Sequence, residues 1–238
     1  MKLKPRLATV ASFVTPGSIV ADIGTDHAYL SIYLISNNIS PRVIAVEKQR
    51  GPFKKAVDVV RLFNLEHKID LRLGDGLTAL KSSDQVDVVV IAGVGGRTLC
   101  RILIAGKERL KKVKKLILQP MSEVFIVRRW LISNGFRLVA ERLADEEGHF
   151  YEVLVAERGH QVITDPFLLE VGPKLVENRD PLLIPLLKTR INRCYLILKS
   201  LACSKRKESL RQRKAYFEVK IEKLQEVLDY VGQGREDN

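Results

Sequence analysis

Residues 20–34, VADIGTDHAYLSIYL, run an apolar β-strand straight into an acidic turn that contains one glycine. Val20, Ala21 and Ile23 give the strand its buried character, and Gly24 permits a sharp backbone bend at its end. Asp22 and Asp26 bring two carboxylates to the same place. A dinucleotide site at this point normally reads G-x-G-x-x-G, so that backbone amides can approach a pyrophosphate. Only Gly24 is present, and two aspartates repel phosphate while suiting a cation. The pattern therefore favours a positively charged ligand such as S-adenosylmethionine, with its sulfonium and amino group, over NAD. The plainer reading is a polar strand end whose aspartate caps the next helix.

The same pattern recurs down the chain. RVIAVE at 42–47 is a second apolar strand ending in Glu47, about 20 residues after the glycine turn, where doubly wound folds place the acid that accepts from a ribose. Glu47 could instead pair only with Lys48 or Arg50. IDLRLG at 69–74 leads into Asp75, Gly76 and Leu77, which could hold an adenine ring or form an ordinary Asp-Gly turn. VDVVVIAGVGG at 86–96 is apolar on both faces and ends in Gly93, Gly95 and Gly96, as expected of a central strand in a covered sheet. Three acids after three successive strands are hard to explain as isolated turns.

Helices are expected near 29–37, 52–64, 97–105 and 123–134, and KLILQP at 115–120 is a fifth strand. Alternating strands and helices make a parallel sheet covered on both faces, an α/β Rossmann-like architecture. Two further strand-like runs within 136–158, around a turn at 145–148, predict a terminal antiparallel hairpin. Ligands of such sheets bind beyond the carboxyl ends of the strands, where all the acidic motifs fall.

Taken in order, KPRL at 4–7, ADIGTDHAYL, GPF at 51–53, GDGL, IAGVGG, LILQP and YEVLVAE resemble the bacterial tRNA (adenine-N1)-methyltransferases that modify position 22. The resemblance runs to about residue 158 and more loosely into the tail. It implies a class I methyltransferase fold, S-adenosyl-L-methionine as methyl donor, tRNA as partner and a coiled-coil-like helical C-terminal domain. By that resemblance Asp22, Gly24, Thr25, Glu47, Asp75, Gly76, Leu77 and Gly93 hold the donor. Arg6, Gly95, Gly96, Gln119 and Pro120 face the substrate, and Asp26, His27 and Tyr29 serve the chemistry. Asp26 is the candidate for dispersing charge on the base, and Tyr29 either stacks on that base or belongs to the core. His27, at a helix start, reads as a structural hydrogen-bonding residue or as an assistant. Three positions depart from the family pattern: Ser31 replaces Pro, Val94 replaces Met, and Met121 replaces the Asn of LQPN. The first two are expected to be packing changes, and the third removes an amide near the base pocket.

The 238 residues carry a formal net charge of +12 at pH 7, which suits a polyanionic partner such as tRNA, although a generally basic protein background gives the same figure. Lys107, Arg109, Lys111, Lys112, Lys114 and Lys115, followed by Arg128, Arg129 and Arg137, form one basic set, and Lys205, Arg206, Lys207, Arg211, Arg213 and Lys214 form another. Two such sets could grip phosphates on either side of a donor site, or could be solvated helix faces. Cys100, Cys194 and Cys203 show no paired spacing and the histidines are scattered, so no metal site is expected. Without a long apolar run or a signal peptide, the expected location is cytoplasmic.

A domain boundary is expected between Arg158 and Pro166, which gives a methyltransferase domain at 1–159 and a helical, RNA-binding domain at 160–238. Leu187, Ile191, Cys194, Leu198 and Leu201, then Leu210, Phe217, Ile221, Leu224, Leu228 and Val231, recur in steps that suit a coiled-coil seam. The break near Lys205 predicts an antiparallel hairpin within one chain and favours a monomer, with an intermolecular coiled coil as the competing arrangement. Methylation of another RNA nucleotide, or RNA binding without catalysis, remain the alternative functions.

Overall fold

Apolar runs that are buried on both faces and separated by helices pair in parallel, because each helix carries the chain back to the starting edge. The computed structural model describes residues 1–202 and 208–233. Its runs are β1 (Val20–Ile23), β2 (Val43–Glu47), β3 (Ile69–Leu73), β4 (Val88–Val94) and β5 (Lys115–Pro120). All pair in parallel, with β1 between β2 and β4. A hairpin, β6 (Phe136–Glu146) and β7 (His149–Arg158), closes a seven-stranded sheet in the order β3-β2-β1-β4-β5-β7-β6. β7 lies antiparallel to β5. Its turn is two residues long, Glu147 at φ 56° and Gly148 at φ 79°, the twin positive angles of a type I′ turn.

The helices divide between the two sheet faces according to strand parity. Ala21, Ile23, Ile44, Val46, Val89 and Ile91 point to one face, under α4 (Gly96–Ala105) and α5 (Val124–Ser133). Val20, Val43, Ala45, Val88 and Val90 point to the other, under α1 (Pro5–Ser12), α2 (Tyr29–Ser36) and α3 (Arg50–Leu62). Helix α1 was not among the expected helices. Its local signal is Pro5 at the first turn, where the missing N–H costs nothing.

One buried charge cluster corrects the reading of the basic residues. Arg128 on α5 is 0% exposed, and its Nε and Nη2 donate to Glu141 on β6 and Glu152 on β7, each at 2.6 Å. It ties α5 to the hairpin and is not available to a phosphate. The residues at 107–115 lie where the chain enters β5, at the amino ends of the strands. Lys114 pairs with Asp87 just before β4 at 2.8 Å, and Lys115 Nζ reaches Thr15 Oγ1 before β1 at 2.6 Å. That set therefore sits opposite the carboxyl ends where ligands bind.

The chain divides into two compact units, Met1–Thr164 and Asp165–Asn238. In the second, short helices α6 (Leu168–Val171) and α7 (Pro173–Glu177) precede α8 (Leu183–Ala202) and α9 (Glu208–Gln233). Ile184 and Lys188 at the start of α8 share a cavity wall with Leu228 and Gly232 at the end of α9, so the two long helices run antiparallel. Leu187, Ile191, Cys194, Ile221, Leu224 and Val231 of the expected seam are buried, while Leu198, Leu201, Leu210, Phe217 and Leu228 are only half-buried. Within the same unit Lys220 on α9 pairs with Glu170 on α6. Arg211, Arg213 and Lys214 are exposed on α9, whereas Cys203, Lys205, Arg206 and Lys207 fall outside the described residues. Among the described residues no helix is long and apolar enough to cross a membrane, and no group of His, Cys, Asp and Glu could hold a metal ion.

Candidate active site

The carboxyl ends of β1, β2 and β4 open into a cavity of about 700 Å³. Its floor is the β1–α2 turn, where Gly24 takes φ 77° while Gly24 N and Thr25 N both donate to Val46 O, at 2.8 and 3.1 Å. Asp26 at φ 53° and Ala28 at φ 60° are also left-handed, an uncommon angle for side chains other than Asn and Asp. This twisted turn leaves the Asp26 side chain 67% exposed at the cavity while tucking Ala28 into the core.

Asp22 is nearly sealed off from solvent, and Thr25 Oγ1 and Ser31 Oγ both donate to its Oδ2 at 2.7 Å. Burial pushes its carboxyl above the usual carboxylate range. The two hydroxyls pull the other way, and the nearby Glu47 charge adds to the rise. Ser31 is thus more than the packing change expected of it, because its hydroxyl helps to aim Asp22. Glu47 accepts from Gln49 N at 2.8 Å through Oε1 and from Asp26 N at 3.2 Å through Oε2. Its carboxylate is fixed by backbone, with lone pairs left over for a ligand. Asp75 also reaches the cavity and pairs with the exposed Lys48 at 2.8 Å.

His27 and Tyr29 line the same wall with ring centroids 5.6 Å apart. Tyr29 is 46% exposed, which decides against a core role. His27 Nε2 lies 3.7 Å from Asp26 Oδ1. Asp22, Gly24, Thr25, Asp26, His27, Tyr29, Glu47, Asp75, Gly76, Gly93 and Arg6 are all brought to one cavity.

Five of the candidates stand elsewhere. The Leu77 side chain is buried in the core under Gly106, where a Cβ would come within 2.2 Å of it. Gly96 is buried where the β4–α4 and β5–α5 turns meet. A Cβ there would lie 2.6 Å from Glu123 O and 2.7 Å from Ser122 O, so this glycine serves a close backbone approach. Gly95 lies beside Ser122 in the same crossing, Pro120 is buried at the end of β5, and neither lines the cavity. Gln119, fully buried, acts at one remove, because its Oε1 accepts from Arg6 Nη1 at 2.7 Å and from Gly93 N at 3.1 Å. Met121 is half-exposed and outside the cavity lining, so its missing amide is not missing from this wall. Thr98, Arg101, Ile102 and Ala105 of α4 also line the cavity and were not among the expected site residues. Their spacing of three to four residues marks one helix face, but only the fold shows that this face looks into the cavity.

The family model for tRNA (adenine(22)-N(1))-methyltransferase matches residues 20–226. The chain belongs to that family. The tRNA (adenine(22)-N(1))-methyltransferase of Bacillus subtilis (strain 168) is 34% identical over 235 residues, covering 97% of this chain and 98% of its own. Among solved structures, this methyltransferase chain is 36% identical to a Streptococcus pneumoniae protein in complex with S-adenosyl-L-methionine. The TM-score is 0.87, over 95% of this chain and 100% of that one. A protein of M. capricolum in complex with S-adenosyl-homocysteine is 27% identical with TM-score 0.84, over 97% and 100% of the two chains. The departures at Ser31, Val94 and Met121 thus lie within a chain that matches the family model over residues 20–226 and shares the fold of these structures.

Proposed function

We propose that this protein transfers the methyl group of S-adenosyl-L-methionine to N1 of adenine 22 in tRNA. The observation that carries the reading is the pair of anchored carboxylates, Asp22 and Glu47, at adjoining strand ends in a chain of this family. The donor's chemistry is an electrophilic methyl on a sulfonium, and its transfer leaves the positive charge on the methylated base. The carboxylates suit that cationic donor: Asp22 faces its charged end and Glu47 its ribose hydroxyls. Gly76 and the backbone around Asp75 would receive its adenine.

At the other end Asp26 is exposed to the cavity and stabilises the charge that develops on the adenine, a group aimed at the transition state rather than at either reactant. N1 of adenine is already unprotonated at neutral pH, so positioning and charge stabilisation supply the catalysis. Tyr29, exposed on the wall, offers a face on which a base drawn from its stack can rest. Residues 1–159 would carry this chemistry, while residues 160–238 would bind RNA through a helical hairpin that exposes Arg211, Arg213 and Lys214.

Purified protein, labelled donor and an unmodified tRNA transcript test the reading. Label should appear as N1-methyladenine at position 22 and vanish when that adenine is replaced by guanine. Label at a different nucleotide would make this an RNA methyltransferase of other specificity, and failure to bind the donor would leave an RNA-binding protein.

A further inference from the structure

Arg6 and Gln119 stand 113 residues apart in sequence and meet behind the loop that ends β4. The ladder between β4 and β5 slips there, with Ala92 opposite Gln119 and Val94 opposite Pro120, so Gly93 has no partner residue. A bulge of this kind leaves a backbone N–H without a ladder bond. Gln119 Oε1 accepts it at 3.1 Å and also accepts Arg6 Nη1 at 2.7 Å, while Gln119 Nε2 donates to Pro120 O at 3.1 Å. These contacts fix the amide end for end. Arg6 is held from its own side as well: its backbone N donates to Glu146 Oε2 at 3.3 Å, and its guanidinium lies 5.7 Å over the Tyr151 ring.

A guanidinium carries five N–H donors. Among the described residues that of Arg6 makes one hydrogen bond, to Gln119, and the side chain lines the cavity. Of the other cations on the wall, Lys48 pairs with Asp75 and Arg101 bonds Thr98 Oγ1 on its own helix, and both are exposed, whereas Arg6 is half-buried and held by Gln119, Glu146 and Tyr151. Methyl transfer puts positive charge on the adenine ring, so a fixed cation against the ring would oppose it. The anion on the same nucleotide is its phosphate, which matches a guanidinium fork. Resting on the function proposed above, we propose that Arg6 anchors a phosphate flanking the target adenosine, and that Gln119 is the positioning residue that aims it while pinning the Gly93 bulge.

The test is tRNA binding, which does not depend on turnover, using transcripts in which the 5′ or the 3′ phosphate of nucleotide 22 is a neutral methylphosphonate. Arg6→Gln should weaken binding of the native transcript about tenfold to a hundredfold. The neutral linkage should cost the unaltered protein as much, and the two changes together should cost no more than either alone. Gln119→Leu should reproduce the loss and add nothing to Arg6→Gln. The slope of log affinity against log salt should fall by about one in Arg6→Gln. Donor affinity should not change in Arg6→Gln. Additive losses at both linkages, or a donor affinity that falls in step with tRNA affinity, would overturn the assignment. A protein that binds as described but methylates a nucleotide other than adenine 22 would refute the proposed function and leave the anchor standing.

Discussion

The two ends of the cavity are built on different principles. At the end lined by Asp22 and Glu47 the groups that hold a carboxylate come from β1, β2 and their turns: Thr25 and Ser31 for Asp22, Gln49 and, 21 residues away, Asp26 for Glu47. At the end held by Arg6, where the target base is proposed to sit, they come from the whole unit, with Arg6 from α1, Gly93 from β4 and Gln119 from β5, and Glu146 and Tyr151 from the hairpin behind Arg6. A site made of near segments forms once two adjacent strands and their turns are in place. A site made of distant segments depends on everything that docks those segments, so damage far from the cavity should reach the base end first.

The largest effect should come from Arg128→Met. It takes the cation away from two buried carboxylates, Glu141 and Glu152, a change that costs about 3–5 kcal/mol. Denaturant unfolding should register that loss. At temperatures where the variant is folded, calorimetry should find donor affinity preserved and tRNA affinity reduced, because the disturbed hairpin carries Glu146 and Tyr151. Equal loss at both ends would erase the contrast between them.

Asp26→Asn should come next. Asn tolerates the left-handed backbone angle of this position, so the turn should survive and the change should read as charge alone. Turnover should drop about a hundredfold with tRNA affinity held, since only the transition state gains from the charge. Rate and binding falling together would move Asp26 to a structural or donor-holding role.

The smallest effect in size, and the sharpest in sign, belongs to Asp22. Its carboxyl is raised by burial, so the folded state holds the proton more tightly than the unfolded chain. The associated stability is present below the unfolded pKa and lost as pH rises through the higher folded value. Above that folded value the ionised Asp22 is therefore a burden on the donor-free protein. Asp22→Asn should raise its melting temperature and at the same time weaken donor binding, and the native protein should lose donor affinity on acidification at a pH above the ordinary carboxylate range. A variant that melts lower would show that the hydroxyl bonds of Thr25 and Ser31 outweigh desolvation.

The alternation of apolar runs and helices was sufficient in sequence to give the parallel sheet, because burial on both faces leaves a strand no other place. The acids at the ends of β1 and β2 were legible for the same reason: strand direction alone decides which end faces a ligand. The packing of Gly96 and Leu77 was not legible, because a motif glycine and a loop leucine look alike whether they face a ligand or a neighbouring turn, and the crossing at Ser122 and the contact under Gly106 appear only in the fold. Arg128 read as one more surface charge until α5 was laid against β6 and β7. The run at 107–115 read as a phosphate grip flanking the donor site, or as a solvated face, until the strand order set it at the opposite end of the sheet. Local sequence determined the elements, their directions and the carboxylates at the strand ends, since those follow from periodicity and strand direction. Tertiary structure alone decided which charges are buried, which helix face lines the cavity, and that Arg6 meets Gln119, because each depends on segments that only the closed sheet brings together.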